Sequence, residues 1–114
     1  AVLVAISIPI FTSQLEKSRE AVDMANLRSA YAECAAEVLT VDTATYTSVY
    51  KKVDPQQTTA GWPSAKPESI GTVATANIPD TIVKGTPFYV VVKADGTAEI
   101  TETKPTDAKA KELK

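Results

Sequence analysis

The chain divides by its hydrophobic pattern into an apolar beginning, an amphipathic stretch and a region of short mixed runs. From Ala1 to Leu15 no side chain is ionisable, and apolar residues cover nearly every helical face. A helix that is apolar all round must be buried in protein or lipid. As a helix, Ala1 to Phe11 rises only about 16 Å, roughly half the hydrocarbon thickness of a bilayer. We therefore expect the apolar run to begin upstream of Ala1.

At Glu16 the pattern changes to that of an amphipathic helix. Apolar residues recur at steps of three and four, which predicts one face that packs on the rest of the chain. The predicted helix-to-sheet packing residues are Met24, Leu27, Tyr31, Cys34 and Val38. Glu16 and Arg19 have the spacing of an ion pair, and each charge taken alone is expected to be solvated. The residues expected on the other faces are Asp23, Asn26, Arg28, Glu33 and Glu37.

These two patterns predict one continuous helix from Ala1 to about Leu39, about 58 Å long at 1.5 Å per residue. Pro9 is expected to kink it, because proline lacks a donor and crowds the carbonyl four residues earlier. The helix should end near Thr40, where β-branched residues become frequent. Nothing downstream is apolar enough to enclose the first half, so that half should project from the fold.

The clearest strand signal comes late in the chain. Two β-prone runs, Phe88 to Lys93 and Ala98 to Thr103, flank Asp95-Gly96, which predicts a β-hairpin. A third strand would come from Ile70–Val73 or from Ile78–Val83. The run from Tyr46 to Val53 suits either a short helix or a strand. The tail 104–114 is expected to fray or to form a short terminal helix.

The predicted fold class is α+β: a long N-terminal helix, kinked near Pro9, on a small antiparallel sheet of about three strands. Its segments are an apolar helix half (1–15), an amphipathic half (16–40), a connecting region (41–86), the hairpin (87–103) and the tail (104–114). Trp62 lies in the loop-rich part of the connecting region. It either packs on the helix or sheet as a lid or stands exposed for recognition.

Composition gives no support to catalysis. The 114 residues include no histidine and one cysteine, with a net charge of −2 and no basic stripe for nucleic acid. No phosphate loop, nucleophile elbow or metal-ligand cluster is present, so we predict no catalytic, metal or cofactor-binding residue. Cys34 is expected to be a small buried residue rather than a reactive thiol. Asp95-Gly96-Thr97 fits a hairpin turn better than a calcium loop.

The first third of the chain resembles the N-terminal segment of type IV pilins. The resemblance rests on the run Ala1 to Phe11 with its Ile8-Pro9-Ile10-Phe11 step, followed by an amphipathic continuation containing Asn26-Leu27-Arg28. It implies a missing upstream part with a prepilin peptidase site, an N-methylated first residue and an assembly glutamate. A single cysteine cannot form the C-terminal disulfide of many Gram-negative pilins, which favours a Gram-positive or other cysteine-poor lineage.

The resemblance implies a structural subunit, not an enzyme, of an extracellular type IV pilus-like filament. The homopolymer would form through N-terminal helix packing, for motility, adhesion or DNA uptake. Partners would be other copies, the cytoplasmic membrane that holds the precursor, and the assembly machinery. The predicted filament-assembly residues are Val2, Leu3, Val4, Ile6, Ile8, Pro9, Ile10, Phe11 and Leu15.

Two other functions fit the same sequence. One is a pseudopilin of a type II secretion or competence system, which shares the helix. The other is a membrane-anchored extracellular binding domain that uses Trp62 and its loop as a recognition surface. Long surface filaments would favour the pilin, and short filaments would favour the pseudopilin. The absence of any self-assembly would favour the anchored binding domain.

Overall fold

The computed structural model describes the backbone of residues 2–64 and 66–114, and the side chains of 14–64 and 66–114. Helix α1 runs without interruption from Val2 to Val38. At 1.5 Å per residue its 37 residues span about 55 Å, and the molecule measures 66 × 24 × 19 Å. Pro9 lies within the continuous helix. The kink predicted from its ring concerns a residue whose side chain lies outside the described ones. After the helix, Thr40 donates from both its N–H and its hydroxyl to the carbonyl of Glu37, at 2.9 and 2.8 Å.

The helix packs on a four-stranded mixed sheet. The strands are β1 (Ser48–Val53), β4 (Phe88–Lys93), β5 (Ala98–Thr101) and β6 (Ala110–Leu113), in the order β5-β4-β1-β6. β1 and β5 each pair antiparallel with β4, and β6 pairs parallel with β1. The predicted α+β class is confirmed, but the prediction of about three antiparallel strands was wrong because it missed the parallel strand.

The predicted Asp-Gly hairpin is confirmed as β4–β5. Gly96 adopts φ 91°, a backbone conformation that side chains disfavour. Lys93 N–H donates to the carbonyl of Thr97 at 2.8 Å and closes the turn. Asp95 accepts hydrogen bonds from both the N–H and the hydroxyl of Thr97, at 2.9 and 2.6 Å. These contacts lower the pKa of Asp95 and give the carboxylate a role within the turn.

The candidate third strands do not join the main sheet. Ile70 and Val73 pair in a separate two-stranded hairpin, β2 (Ser69–Ile70) and β3 (Val73–Ala74). A 3-10 turn follows at Thr75–Asn77, and the segment 78–83 contains no strand. Its Ile78 and Ile82 are buried in the core instead, which explains their apolar character.

The run from Tyr46 to Val53 resolves into a strand, since Ser48–Val53 forms β1. The predicted connecting region 41–86 therefore supplies a central strand of the sheet. The prediction for the tail was wrong, because Ala110–Leu113 forms the edge strand β6. The residues of β6 have little intrinsic preference for strands. The strand forms because β1 offers it an edge and because Leu113 packs against the apolar cluster around Val49.

The main core lies between α1, the sheet and the loops. It joins helix residues Leu27 and Ala30 to side chains of the sheet and of the connecting region. Those other members are Val53, Trp62, Ile70, Val73, Ile78, Ile82, Phe88, Val90 and Ile100. A separate cluster of Tyr50, Tyr89 and Val91 includes an edge-to-face aromatic pair with ring centroids 6.1 Å apart. Five successive residues of β4 are buried, as expected of a central strand covered on both faces.

Candidate functional site

The helix face that packs on the fold carries residues of two chemical kinds. Among the helix residues with described side chains, the buried positions follow each other at steps of three and four. They are Glu16, Glu20, Asp23, Leu27, Ala30 and Cys34. The first three are acids and the last three are apolar, so the inner face changes from polar to apolar along the helix.

The predicted helix-to-sheet residues all lie on this inner side. Leu27 is 1% exposed and Cys34 is fully buried. Met24 and Tyr31 are half-buried against the main core, and Val38 packs on the cluster around Val49. The structure thus brings these five side chains to the helix–sheet interface.

Sequence reasoning missed the three buried acids. Asp23 was expected on another face but is fully buried. Its carboxylate accepts from the N–H groups of Gln56 and Gln57, at 2.8 and 3.0 Å. Glu20 accepts from the N–H of Ser64 at 3.1 Å. The available signal was the spacing of these acids, which continues the steps of three and four of the apolar positions after them. The amide donors that bind the acids come from a distant loop and gave no local signal.

Glu16 accepts hydrogen bonds from several donors of the same loop. It accepts from the N–H groups of Thr58 and Thr59, at 2.8 and 3.1 Å, and from the Thr58 hydroxyl at 2.5 Å. Glu16 also pairs with Arg19 at 3.5 Å, at the i,i+3 spacing noted in the sequence, so the expectation that both charges are simply solvated was wrong. Burial raises the pKa of Glu16, but the bonds from Thr58, Thr59 and Arg19 outweigh it, so the pKa lies below its usual value.

Gln57 lies beside this acid face and is fully buried. Its backbone is well bonded, since its N–H donates to Asp23 and its carbonyl accepts from Lys84 at 2.6 Å. Within the described part of the chain, neither polar atom of its side-chain amide has a hydrogen-bond partner.

Cys34 is the buried residue that the sequence predicted. Its Sγ lies 3.8 Å from the carbonyl oxygen of Val90. Burial, with a smaller contribution from Glu33 and an opposing one from Lys51, raises the pKa of the thiol to about 11. A thiol with this pKa is protonated at neutral pH, which is unsuited to nucleophilic chemistry.

Trp62 packs into the main core and is 4% exposed. Its indole N–H donates to the carbonyl of Pro79 at 3.1 Å. Its backbone has φ 53°, an uncommon conformation for a residue with a side chain. Of the two readings from sequence, the packed lid is the one observed.

The outer side of α1 carries an uncharged stripe with the seven-residue spacing of a helix–helix seam. We call it the exposed stripe. Its members alternate in steps of three and four, and all are exposed. They are Leu15, Ser18, Val22, Ala25, Ser29, Ala32 and Ala36, with Leu39 just past the helix end. Leu15 and Val22 are 39% and 45% exposed, which is unusual for large apolar side chains.

The same spacing continues backward through the sequence into the apolar segment, to Phe11, Ile8 and Val4. Of the predicted filament-assembly residues, only Leu15 has a described side chain. The others, Val2 to Phe11, have side chains outside the described ones. None of the described helical residues form a stretch that is both long enough and apolar enough to cross a membrane.

A groove of about 290 Å³ between α1 and β1 is lined by Asn26, Ser29, Ala30, Lys51, Lys52, Val53 and Asp54. Lys51 pairs with Glu33, and Lys52 pairs with Asp54 at 3.6 Å, so both ammonium groups are engaged. Among residues with described side chains, no three His, Cys, Asp or Glu residues are grouped to hold a metal ion.

Comparisons with protein-family models, with curated proteins and with solved structures return no match to this chain.

Proposed function

We propose that this chain is the structural subunit of an extracellular helical filament of the type IV pilus kind, polymerising by packing of α1 against other copies. The observation that carries the proposal is the exposed stripe. Large apolar side chains stand at Leu15, Val22 and Leu39, and small residues lie between them. Small residues allow helix backbones to approach closely, and the seven-residue spacing keeps such a seam facing its partner.

The inner face of α1 supports the same assignment, because it is already occupied. Leu27, Ala30 and Cys34 are buried against the fold, and the acids before them are bonded to a loop. The outer face therefore remains available for another molecule. Contacts of this kind that do not close on themselves produce an open helical polymer rather than a ring.

The apolar sequence from Ala1 to Phe11 supports assembly through its composition. Seven of its side chains are large and apolar, and burying them from water would contribute on the order of 10–20 kcal/mol. Relative to lipid the gain is far smaller, so we expect insertion into the filament to depend on packing and on the assembly machinery. On this proposal the precursor resides in the cytoplasmic membrane and the filament at the cell surface.

A pseudopilin would share the exposed stripe, the occupied inner face of α1 and the apolar segment. It differs in predicting short rather than long filaments. The membrane-anchored binding domain is less well supported, since Trp62 is 4% exposed and cannot present its ring to a partner. The exposed stripe would also have no role in such a protein.

The decisive experiment is electron microscopy of the full-length protein expressed with its assembly machinery, comparing Val22→Asp and Ala32→Asp with the wild-type chain. Both substitutions put a charge on the exposed stripe, where it would be buried by a second helix. We expect filaments to be lost, while the circular dichroism spectrum of the purified subunit stays unchanged.

The matched controls are Arg28→Asp and Lys17→Glu, which change charge on exposed α1 positions outside the stripe. Leu3→Asp and Ile6→Asp test the apolar segment and should also abolish filaments. Normal filament yield from Val22→Asp and Ala32→Asp would refute packing through the exposed stripe. Wild-type protein that forms only monodisperse particles would refute the filament itself.

A further inference from the structure

Helix α1 is attached to the fold through two zones of different chemistry. The apolar zone runs from Leu27 to Val38 and packs on the sheet through buried Leu27, Ala30 and Cys34. The carboxylate zone comprises Glu16, Glu20 and Asp23. Before Leu27, these acids are the only buried residues of α1 with described side chains, and Met24 is half-buried. Up to Asp23, the described attachment of the helix is therefore polar.

The partners of the carboxylate zone are mainly backbone amides of one loop. Asp23 accepts hydrogen bonds from the N–H groups of Gln56 and Gln57. Glu16 accepts from those of Thr58 and Thr59, and Glu20 accepts from that of Ser64. Arg19 forms an ion pair with one of these acids, Glu16, at 3.5 Å. The carboxylate charges are thus stabilised chiefly by oriented N–H groups.

The charged groups at the two ends of this loop have partners of their own. Lys52 pairs with Asp54 at 3.6 Å before the loop, and Lys66 pairs with Asp80 at 3.0 Å after it. Both lysines thus have carboxylate partners outside the carboxylate zone. The negative charge of the three carboxylates strengthens the N–H hydrogen bonds by which the helix holds the loop.

The loop is also joined to a neighbouring segment independently of α1. Gly61 N–H donates to the carbonyl of Asp80 at 2.7 Å, and Lys84 N–H donates to that of Gln57 at 2.6 Å. Trp62 anchors the middle of the loop in the core. If the acids lost their charge, these contacts would keep the loop on the fold, and the helix would be the part that separates.

We propose that the carboxylate zone is a releasable clasp: neutralising Glu16, Glu20 and Asp23 frees α1 up to Asp23 from the loop Gln56–Ser64, while the apolar zone holds the rest of the helix on the sheet. Release would let the leading part of the helix change its angle to the globular part. This inference does not depend on the proposed filament, because it concerns contacts within one subunit.

The test uses the full chain in detergent micelles at pH 7, with amide hydrogen exchange followed by NMR. The triple variant Glu16→Gln, Glu20→Gln, Asp23→Asn keeps side-chain size and removes the three charges. We expect the amides of Gln56, Gln57, Thr58, Thr59 and Ser64 to exchange at least about tenfold faster, because each loses a charge-assisted hydrogen bond. Amides of β4 should keep their wild-type rates.

The matched control is Glu33→Gln with Glu37→Gln, which removes two acids of α1 that pair with Lys51 and Lys111 on the sheet. It should leave exchange in the loop unchanged. Unchanged loop exchange in the triple variant would overturn the clasp. Equal acceleration in the loop and in β4 would also overturn it, since the zones would then open as one unit.

A second measurement decides the matter if the triple variant does not fold. The wild-type chain is titrated from pH 7 to pH 3, and amide chemical shifts are followed together with the carboxyl carbon signals. The amides of Thr58 and Thr59 should move with the carboxyl signal of Glu16 while the β4 amides stay in place. Simultaneous loss of both sets of amide signals, or no movement in the loop, would contradict the proposal.

Discussion

At the scale of single residues, the fold depends on a few positions whose side chain, or lack of one, decides a contact. Gly71 has φ 58°, and a Cβ built there would lie 2.1 Å from the ring of Tyr31. The turn between β2 and β3 therefore requires glycine both for its backbone and for the space that the ring occupies. The tyrosine hydroxyl also donates to Thr72 at 3.5 Å in the same turn.

We predict that Gly71→Ala lowers the free energy of unfolding by about 2–5 kcal/mol, from left-handed backbone strain and from overpacking against Tyr31. Urea unfolding of the two single variants and of Gly71→Ala with Tyr31→Ala measures the coupling between the sites. The cost of Gly71→Ala should fall when the ring is absent. An equal cost in both backgrounds would show that the ring clash does not matter.

Glu16 should make the stability of the protein depend on pH in the acid range. Its pKa is lower in the folded state than its ordinary value. The unfolded chain therefore binds the proton more readily, and the stabilisation, fully present above about pH 5, is lost as the pH falls through the folded pKa. We predict that Glu16→Gln lowers the free energy of unfolding by about 1–3 kcal/mol at pH 7, with a smaller difference at pH 3.

Denaturant unfolding of wild type and Glu16→Gln at both pH values measures this effect. Glu33→Gln, an exposed acid on the same helix, serves as the control and should show little change at pH 7. A Glu16→Gln effect that is as large at pH 3 as at pH 7 would show that the carboxylate charge is not its cause.

At the scale of elements, β6 is a strand that forms through its contacts with the rest of the structure rather than through its own residue preferences. It lies parallel to β1, and its four residues are only half-buried. Lys111 pairs with Glu37 on the helix, and Glu112 accepts from the hydroxyl of Tyr50 at 3.4 Å. Burial and the neighbouring Glu112 raise the pKa of Tyr50. The strand thus ties the tail to both the helix and the sheet.

We predict that truncation after Lys109, which removes β6, lowers the free energy of unfolding by about 1–3 kcal/mol, chiefly through lost packing of Leu113. It should also expose Tyr50. Urea unfolding and ultraviolet titration of tyrosine measure the two effects. Removing Lys114 alone, an exposed residue after the strand, is the control. Identical unfolding midpoints for both truncations would mean that β6 adds nothing to stability.

At the scale of the whole molecule, the long helix exposes one uncharged face along an elongated body of 66 × 24 × 19 Å. If that face forms the filament contact, it should be accessible in the monomer and protected in the polymer. We predict that a thiol introduced by Val22→Cys reacts with a maleimide in the monomer and at least about tenfold more slowly in filaments, because helix packing would bury it.

Glu68→Cys, at an exposed loop position, should stay reactive in both states if it faces outward on the filament. The native Cys34 should not interfere, since it is buried and burial raises its pKa to about 11. Equal labelling of Val22→Cys in monomer and filament would place the contact elsewhere on the molecule.

The sequence by itself determined the features that depend on neighbouring residues. The helical spacing from Met24 to Val38 predicted the packing face, and Asp95-Gly96 predicted the hairpin, because side-chain periodicity and turn geometry are set locally. The burial of Cys34 followed from its place in that spacing. The pilin-like assignment also comes from sequence, and it stays a prediction.

Only the tertiary structure decided the pairing of β6 and the burial of the three acids. The partners of Asp23 and Glu20 lie 33 to 44 residues further along the chain. A buried carboxylate is tolerated only where donors reach it, and no local pattern shows where a distant loop will present its amides. Likewise β6 depends on an edge of β1, which exists only once the sheet has formed.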